Sequence, residues 1–315
     1  MTTYLIPKRG IQTQIRRLWS GSVGSMFFHR AYPYLFILLL YLITPAPAQG
    51  QQVIKGYSKP ETFNILPVKD TSTTSLTVTT HVEFYKNEKK TALVIGNGDY
   101  KNGPLRNAVN DALDIAATLS GKGFKVILKQ NATRVDMRNA IREFGTEISE
   151  GGVGLFYYSG HGVQVDGVNY LIPVDADIEM KAEVEEECVN ANTILRAMEY
   201  SNNRVNIIIL DACRNNPFRS FSRSTEQGIT KMDPPKGAKQ GSIIAFATAP
   251  GEVASDGDGR NGLYTANLLK YMSMPSLTLE EVFKRVRIEV SGQSGGRQIP
   301  WENNSLTGDF FFTLE

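Results

Sequence analysis

The chain has 315 residues, 41% of them hydrophobic and 21% charged, which is a globular balance and excludes collagen-like, coiled-coil and disordered classes. Its two cysteines are too few for a disulfide scaffold or for a zinc site made of four cysteines. The net charge of +2 is too small to indicate a basic surface for nucleic acid, so we expect no nucleic-acid partner.

Residues 1–48 indicate an export signal. They contain five basic side chains and no acidic one, and the apolar run Tyr34–Ile43 is followed by small residues that end at Ala48. This order predicts cleavage after Ala48 and a periplasmic or secreted protein. The run is shorter than the roughly 20 residues that span a bilayer, so no stable membrane span is expected after cleavage. Met26 is an alternative start, and an uncleaved anchor beginning near it is the competing interpretation.

The rest of the chain divides into two parts. Residues 49–88 are polar and indicate a linker or a peripheral segment, whereas residues 89–315 alternate between short apolar runs and helical periodicity. The patterns predict strands at 91–95, 124–128, 154–158, 205–210, 242–247 and 309–314, and helices at 105–119, 133–148, 191–200, 262–272 and 278–290. A hairpin is predicted at Asp166 and Gly167, and the polar stretch 214–241 is predicted as a surface loop.

Strands that alternate with helices predict one α/β domain. Its central sheet is expected to be mostly parallel, with helices covering both faces. In such sheets, ligands bind beyond the carboxyl ends of the strands. We therefore expect the reactive residues at those ends.

Two reactive side chains follow two predicted strands that are successive along the chain. His161 comes after the strand at 154–158, and Cys213 comes after the strand at 205–210. An imidazole can take the proton of a thiol and later deliver it to a leaving group, which makes the thiol a nucleophile. Taken alone, a histidine after a strand is often an ordinary loop residue, and a cysteine that ends an apolar strand is often a small core residue. Together, at one edge of a sheet, they favour a Cys–His hydrolase.

The motifs around these two residues are similar to those of caspase-like peptidases. The sequence from Tyr158 to Gly162 reads YSGHG, the sequence from Asp211 to Arg214 reads DACR, and 52 residues separate His161 from Cys213, near the roughly 50 of caspases. The Asp-Ala-Cys form resembles the bacterial caspase-like and metacaspase branch. The resemblance implies a caspase-like three-layer fold. It also implies Cys213 as nucleophile, His161 as general acid and base, and the backbone N–H groups of Gly162 and Cys213 as the oxyanion hole.

The resemblance extends to three carboxylates that would bind the substrate. Asp211 and Asp111 match acidic residues that line the first specificity pocket of metacaspases, and Asp256 falls near the position of a substrate-binding arginine in caspases. A cleft lined by carboxylates binds a cationic side chain and repels an acidic one. We therefore expect an exported cysteine endopeptidase that cleaves after Arg or Lys. The alternative is that Asp111 only decorates a helix and Asp256 is a solvated loop charge.

Protein or peptide substrates are the expected partners, and no cofactor or metal is expected. Some metacaspases require calcium, but the acidic residues here show no clear match to that site. The resemblance favours a monomer over a dimer. Two other functions stay open: a catalytically silent caspase fold used as a binding or regulatory module, and a phosphate-binding domain built on Gly96–Gly98, whose glycine motif is incomplete.

Overall fold

The computed structural model describes residues 87–213, 232–249 and 259–314. The predicted export signal at 1–48, the segment 49–88 apart from its last two residues, most of the loop at 214–241, and Asp256 lie outside the described residues. Within the three described ranges, no helix combines the length and the apolar character that crossing a bilayer requires.

The described part of the chain contains eight strands, six α-helices and one 3₁₀ helix. The strands are β1 (Lys90–Gly96), β2 (Lys125–Gln130), β3 (Gly152–Val165), β4 (Val168–Leu171), β5 (Val189–Asn190), β6 (Asn203–Cys213), β7 (Ser242–Phe246) and β8 (Trp301–Asn304). The helices are α1 (Ala108–Gly121), α2 (Arg134–Ile148), α3 (Val184–Glu187), α4 (Asn192–Glu199), α5 (Leu263–Met272) and α6 (Leu279–Gln293), and the 3₁₀ helix is Lys181–Glu183.

The central sheet is mostly parallel, as the sequence predicts. Its strand order is β2-β1-β3-β6-β7-β8, with β8 antiparallel to β7 at one edge. The short strands β4 and β5 form an antiparallel extension of β3. Strand β1 is buried from Thr91 to Gly96 because both faces of the sheet are covered by other elements.

Helices cover the two faces and make a three-layer α/β/α structure. Ala92 and Val94 of β1 point into the core shared with α1, α5 and α6. Leu93 and Ile95 of the same strand point into the core shared with α2 and α4. Successive residues of a strand face opposite sides, so one short apolar run contributes to both cores.

The end of β3 differs from the prediction in a way that matters for function. β3 continues past 158 to Val165 and turns into β4 through Asp166 and Gly167, at the predicted hairpin. Both turn residues have positive φ, 49° and 79°, as a two-residue hairpin of this type requires. His161 therefore lies within a strand, whereas the sequence predicts it just after one.

The closing strand predicted at 309–314 is wrong. This segment makes only an isolated bridge between Thr278 and Phe311, and β8 occupies the edge of the sheet instead. Trp301 stacks on Phe246 of β7 with 4.9 Å between ring centroids, which favours β8 at this edge. The aromatic run at 309–314 is apolar for another reason: Phe310 and Phe312 are buried in the core.

Candidate active site

The two predicted catalytic residues lie opposite each other at the carboxyl ends of adjacent strands. β3 and β6 are parallel neighbours, and their register pairs Ser159 with Asp211 and His161 with Cys213. His161 is the last residue of β3 that pairs with β6, and Gly162 is the first that pairs with β4. The branching point of the sheet therefore lies beside the predicted catalytic pair.

A backbone carbonyl fixes the orientation of the imidazole. His161 Nε2 lies 2.6 Å from the carbonyl oxygen of Gly103, in the loop between β1 and α1. Because a carbonyl oxygen only accepts hydrogen bonds, Nε2 carries the hydrogen, and Nδ1 is the basic nitrogen of the neutral ring. The ring also packs against Tyr100 with 4.5 Å between centroids, and His161 is buried.

Two tyrosine hydroxyls hold the backbone of His161. The His161 N–H donates to the hydroxyl of Tyr100 at 3.0 Å, and the hydroxyl of Tyr158 donates to the His161 carbonyl at 2.7 Å. The Tyr100 hydroxyl donates in turn to the Ile172 carbonyl at 3.0 Å. A Cβ atom at Gly160 would lie 2.6 Å and 2.7 Å from these two hydroxyls, so glycine is needed there to make room for them.

Two of the three predicted specificity carboxylates lie next to the catalytic pair. Asp111, in the first turn of α1, accepts a hydrogen bond from the Gly262 N–H at 2.9 Å and another from the Ser159 hydroxyl at 3.3 Å. Asp211, on β6, accepts one from the Thr265 hydroxyl at 2.6 Å. Asp111 and Asp211 are 2% and 8% exposed, so they are not surface decoration.

Ser159 connects these two carboxylates, because its hydroxyl bonds Asp111 and its register partner on β6 is Asp211. The hydroxyl of Tyr157 lies 2.6 Å from Thr265 Oγ1, and since Thr265 donates to Asp211, the tyrosine is the donor in this contact. The pKa of Tyr157 is raised well above its ordinary value, first by burial and then by the charges of Asp211 and Asp111. The structure therefore brings Asp111 and Asp211 together, while Asp256 lies outside the described residues.

The segment that precedes α5 is bound to α1 beside this region. Arg260 forms a bidentate ion pair with Asp114 at 2.9 Å and 3.0 Å, and Asn261 donates to the same carboxylate at 2.9 Å. Asn110 donates to the Arg260 carbonyl at 3.2 Å. These contacts hold the segment in the position from which the Gly262 N–H reaches Asp111.

Sequence reasoning did not identify several of these contacts. Ser159 lies inside the YSGHG motif, so its hydroxyl had a signal in the sequence, whereas Thr265 lies only within the predicted helix at 262–272. Gly103 acts through its carbonyl, and a carbonyl is the same in every residue. Tyr100 lies 61 positions from His161 in the chain, and nothing in the sequence connects the two.

The described residues also test the alternative phosphate-binding site at Gly96–Gly98 and the possibility of a metal site. The backbone N–H groups of Gly98 and Asp99 both donate to Asn131 Oδ1, at 2.9 Å and 3.1 Å, so this turn does not offer them to a phosphate. Within residues 87–213, 232–249 and 259–314, no group of three or more His, Cys, Asp or Glu side chains is arranged to hold a metal ion. Cys188 is a free, buried thiol whose pKa is raised by burial.

Comparison with known proteins identifies the fold. A family model for the caspase domain (Peptidase_C14) matches residues 89–311. The human protein named mucosa-associated lymphoid tissue lymphoma translocation protein 1 is 35% identical over 126 residues, and its mouse homologue is 34% identical over the same length. The match covers 40% of this chain but 15% of each relative. The crystal structure of protein GSU0716 from Geobacter sulfurreducens aligns with a TM-score of 0.55 at 18% identity, covering 72% of this chain and all of that one.

Proposed function

Because the chain belongs to the caspase-domain family of peptidases, we propose that it is an exported cysteine endopeptidase that cleaves after Arg or Lys. The register that pairs His161 with Cys213 carries this proposal. The carbonyl of Gly103 supports it, because it leaves His161 Nδ1 as the nitrogen that can accept a proton.

In the proposed reaction, the Cys213 thiol gives its proton to His161 Nδ1, and the thiolate attacks the carbonyl carbon of the scissile bond. The oxyanion is held by the backbone N–H groups of Gly162 and Cys213. The imidazolium then gives its proton to the leaving amine, and a thioester of Cys213 remains. A water molecule, deprotonated by the same imidazole, hydrolyses the thioester and restores the thiol.

Preference for a basic side chain is supported by Asp111 and Asp211. Both carboxylates are buried near the catalytic pair, and each accepts a hydrogen bond from a hydroxyl or N–H group. A guanidinium or ammonium group satisfies two buried carboxylates, whereas an acidic side chain is repelled by them. Asp256 remains part of this proposal from the sequence resemblance alone.

Hydrolysis of matched peptides tests the activity and the preference together. The substrates are fluorogenic peptides that differ only in the last residue before the cleaved bond: Arg, Lys or Asp. We expect cleavage after Arg and Lys, no detectable cleavage after Asp, and complete loss of activity in Cys213→Ala. Cys188→Ala is the matched control, since Cys188 is the other cysteine and is a free, buried thiol.

Mass spectrometry of a covalent label completes the test. A thiol-reactive peptide ending in Arg is expected to modify Cys213 and not Cys188, and the mature chain is expected to begin at Gln49. Absence of both labelling and hydrolysis would favour the silent binding module instead. A preference for Asp would contradict the carboxylate pocket, and a chain that retains residues 1–48 after export would contradict the predicted cleavage.

A further inference from the structure

A cavity of about 320 Å³ lies at the end of the sheet away from the candidate active site. It is lined by Glu88, Lys90, Gly121, Lys122, Gly123 and the segment Phe310–Leu314. Lys90 begins β1, and its register partner on β3 is Val153. His161 lies eight residues further along β3, which at about 3.3 Å per residue is roughly 26 Å away.

The charges that line this cavity are mainly positive. The Lys122 ammonium donates to Thr313 Oγ1 at 2.5 Å, and the Lys90 ammonium lies 5.9 Å from the centroid of the Phe124 ring. Neither lysine forms an ion pair with a carboxylate of the described residues. Glu88, the one acidic side chain of the lining, is already held by Arg204 through two contacts of 2.7 Å.

Burial acts on both lysines in the same direction. It lowers the pKa of Lys122, and it lowers the pKa of Lys90 against the opposing effect of Glu88. Loss of hydration makes the charged forms less stable, and an anion bound between the two ammonium groups would restore that stability. The two lysines therefore give one end of the cavity a positive charge that nearby carboxylates of the described residues neutralise only in part.

The remaining wall of the cavity includes three phenylalanines. Phe311 is half-buried along it, and Phe310 and Phe312 support it from the core, where their rings meet edge to face at 5.2 Å. Gly121 adds no side chain, and a Cβ atom built on it would find no other atom within 4 Å. The cavity thus combines a cationic end, an aromatic wall and open space.

We propose that this cavity is a second binding site, which takes a small organic anion. A carboxylate or phosphate group would lie between Lys90 and Lys122, and an aromatic or apolar body would pack against Phe311. The site is separate from the carboxylates that would bind a basic substrate residue, and it has the opposite charge. Its occupation does not depend on peptidase activity.

Calorimetric titration of the full chain tests this site with four probes. Phenyl phosphate and benzoate carry both features, inorganic phosphate carries only the charge, and phenol carries only the ring. We expect one saturable site per chain, with the aromatic anions binding at least about tenfold more tightly than phosphate or phenol. The two aromatic anions also separate a phosphate ligand from a carboxylate ligand.

Variants locate the binding. Lys90→Gln combined with Lys122→Gln should weaken phenyl phosphate binding at least about tenfold, and Gly121→Leu should block it by filling the open space while both lysines remain. Lys284→Gln, at an exposed lysine on α6, is the matched control and should bind as the parent does. Thermal melting identifies any variant that has not folded.

Three results would overturn the proposal: no saturable binding of either aromatic anion, unchanged binding in the double lysine variant and in Gly121→Leu, or equal weakening in Lys284→Gln. Binding should also persist in Cys213→Ala and in a chain labelled at Cys213. If that label abolishes it, the probe occupies the active site and the second site is wrong. Failure of peptidase activity alone leaves these outcomes unaffected.

Discussion

At the scale of single residues, the candidate site depends on groups that support its two reactive side chains. Tyr100 contacts His161 twice, with its ring against the imidazole and its hydroxyl at the backbone N–H. Gly160 permits this arrangement because any side chain there would collide with the tyrosine hydroxyls. Glycine at position 160 is therefore needed for the contacts that position the imidazole.

We expect Tyr100→Phe to lower kcat for an Arg peptide while KM changes little. Phenylalanine keeps the ring contact but leaves the buried His161 N–H without its acceptor, at a cost of about 1–2 kcal/mol, or about 5- to 30-fold in rate. Steady-state kinetics gives the split between kcat and KM. The pH dependence of Cys213 alkylation by iodoacetamide reports whether the imidazole still assists the thiol.

Tyr271→Phe is the control for the Tyr100 variant, because the Tyr271 hydroxyl bonds Glu289 and not the site. It should retain full activity. A Tyr100→Phe protein with unchanged kcat and an unchanged alkylation profile would show that the hydroxyl does not position His161. Loss of activity with a lower melting temperature in both variants would point to general destabilisation instead.

At the scale of elements, α1 carries two carboxylates with different surroundings. Asp111, in its first turn, is buried and receives hydrogen bonds from β3 and from the residue before α5. Asp114, nearly one turn later, is partly exposed and already neutralised by Arg260. The ion pair is also why the pKa of Asp114 is lowered, mainly by the hydrogen bond from Arg260. Helix α1 thus carries one carboxylate, Asp111, that can bind substrate, and another, Asp114, that binds Arg260 of the same chain.

Asp111→Asn should lower kcat/KM for an Arg peptide by roughly 30- to 1,000-fold, since loss of one buried charge facing a cation costs about 2–4 kcal/mol. Asp114→Asn should have a much smaller effect, because Asp114 reaches the pocket only through the segment at 260–262. Alkylation of Cys213 by iodoacetamide, which has no basic group, should proceed at the parental rate in both. Equal losses in the two variants would contradict a direct role for Asp111 in binding.

At the scale of the whole molecule, Arg204 connects segments that are distant in the chain. It forms the buried ion pair with Glu88 before β1, and it donates to Gln240 before β7 and to the Asp309 carbonyl near the carboxyl terminus. Its side chain and that of Glu88 are 10% and 7% exposed. A pair removed from water in this way leaves an uncompensated charge when one partner is lost.

Arg204→Met should therefore lower the free energy of unfolding by about 3–5 kcal/mol, because Glu88 and the Asp309 carbonyl lose their donors while the volume is kept. Urea unfolding measures the difference. Arg260→Met is the comparison, since its ion pair with Asp114 is exposed and should contribute little. A loss at Arg204 no greater than at Arg260 would show that the buried pair does not hold these segments together.

The amino-acid sequence by itself determined the local elements and the chemistry of their ends. Apolar runs and helical periodicity predicted most strands and helices, because residues close together in the chain decide which of these elements forms. The YSGHG and DACR motifs identified His161 and Cys213. The same local signal led to the wrong strand at 309–314: an aromatic run looks alike whether it pairs with a sheet or only fills a core.

Only the tertiary structure decided which distant groups meet. The β3–β6 register, the carbonyl of Gly103 on His161, Tyr100 on the His161 backbone, and the grouping of Asp111 with Asp211 all join parts of the chain that are far apart in sequence. These contacts follow from how the strands pair and how the helices pack across the sheet. The lysine-lined cavity at the other end has the same origin, since the end of α1 and the carboxyl-terminal segment enclose it jointly.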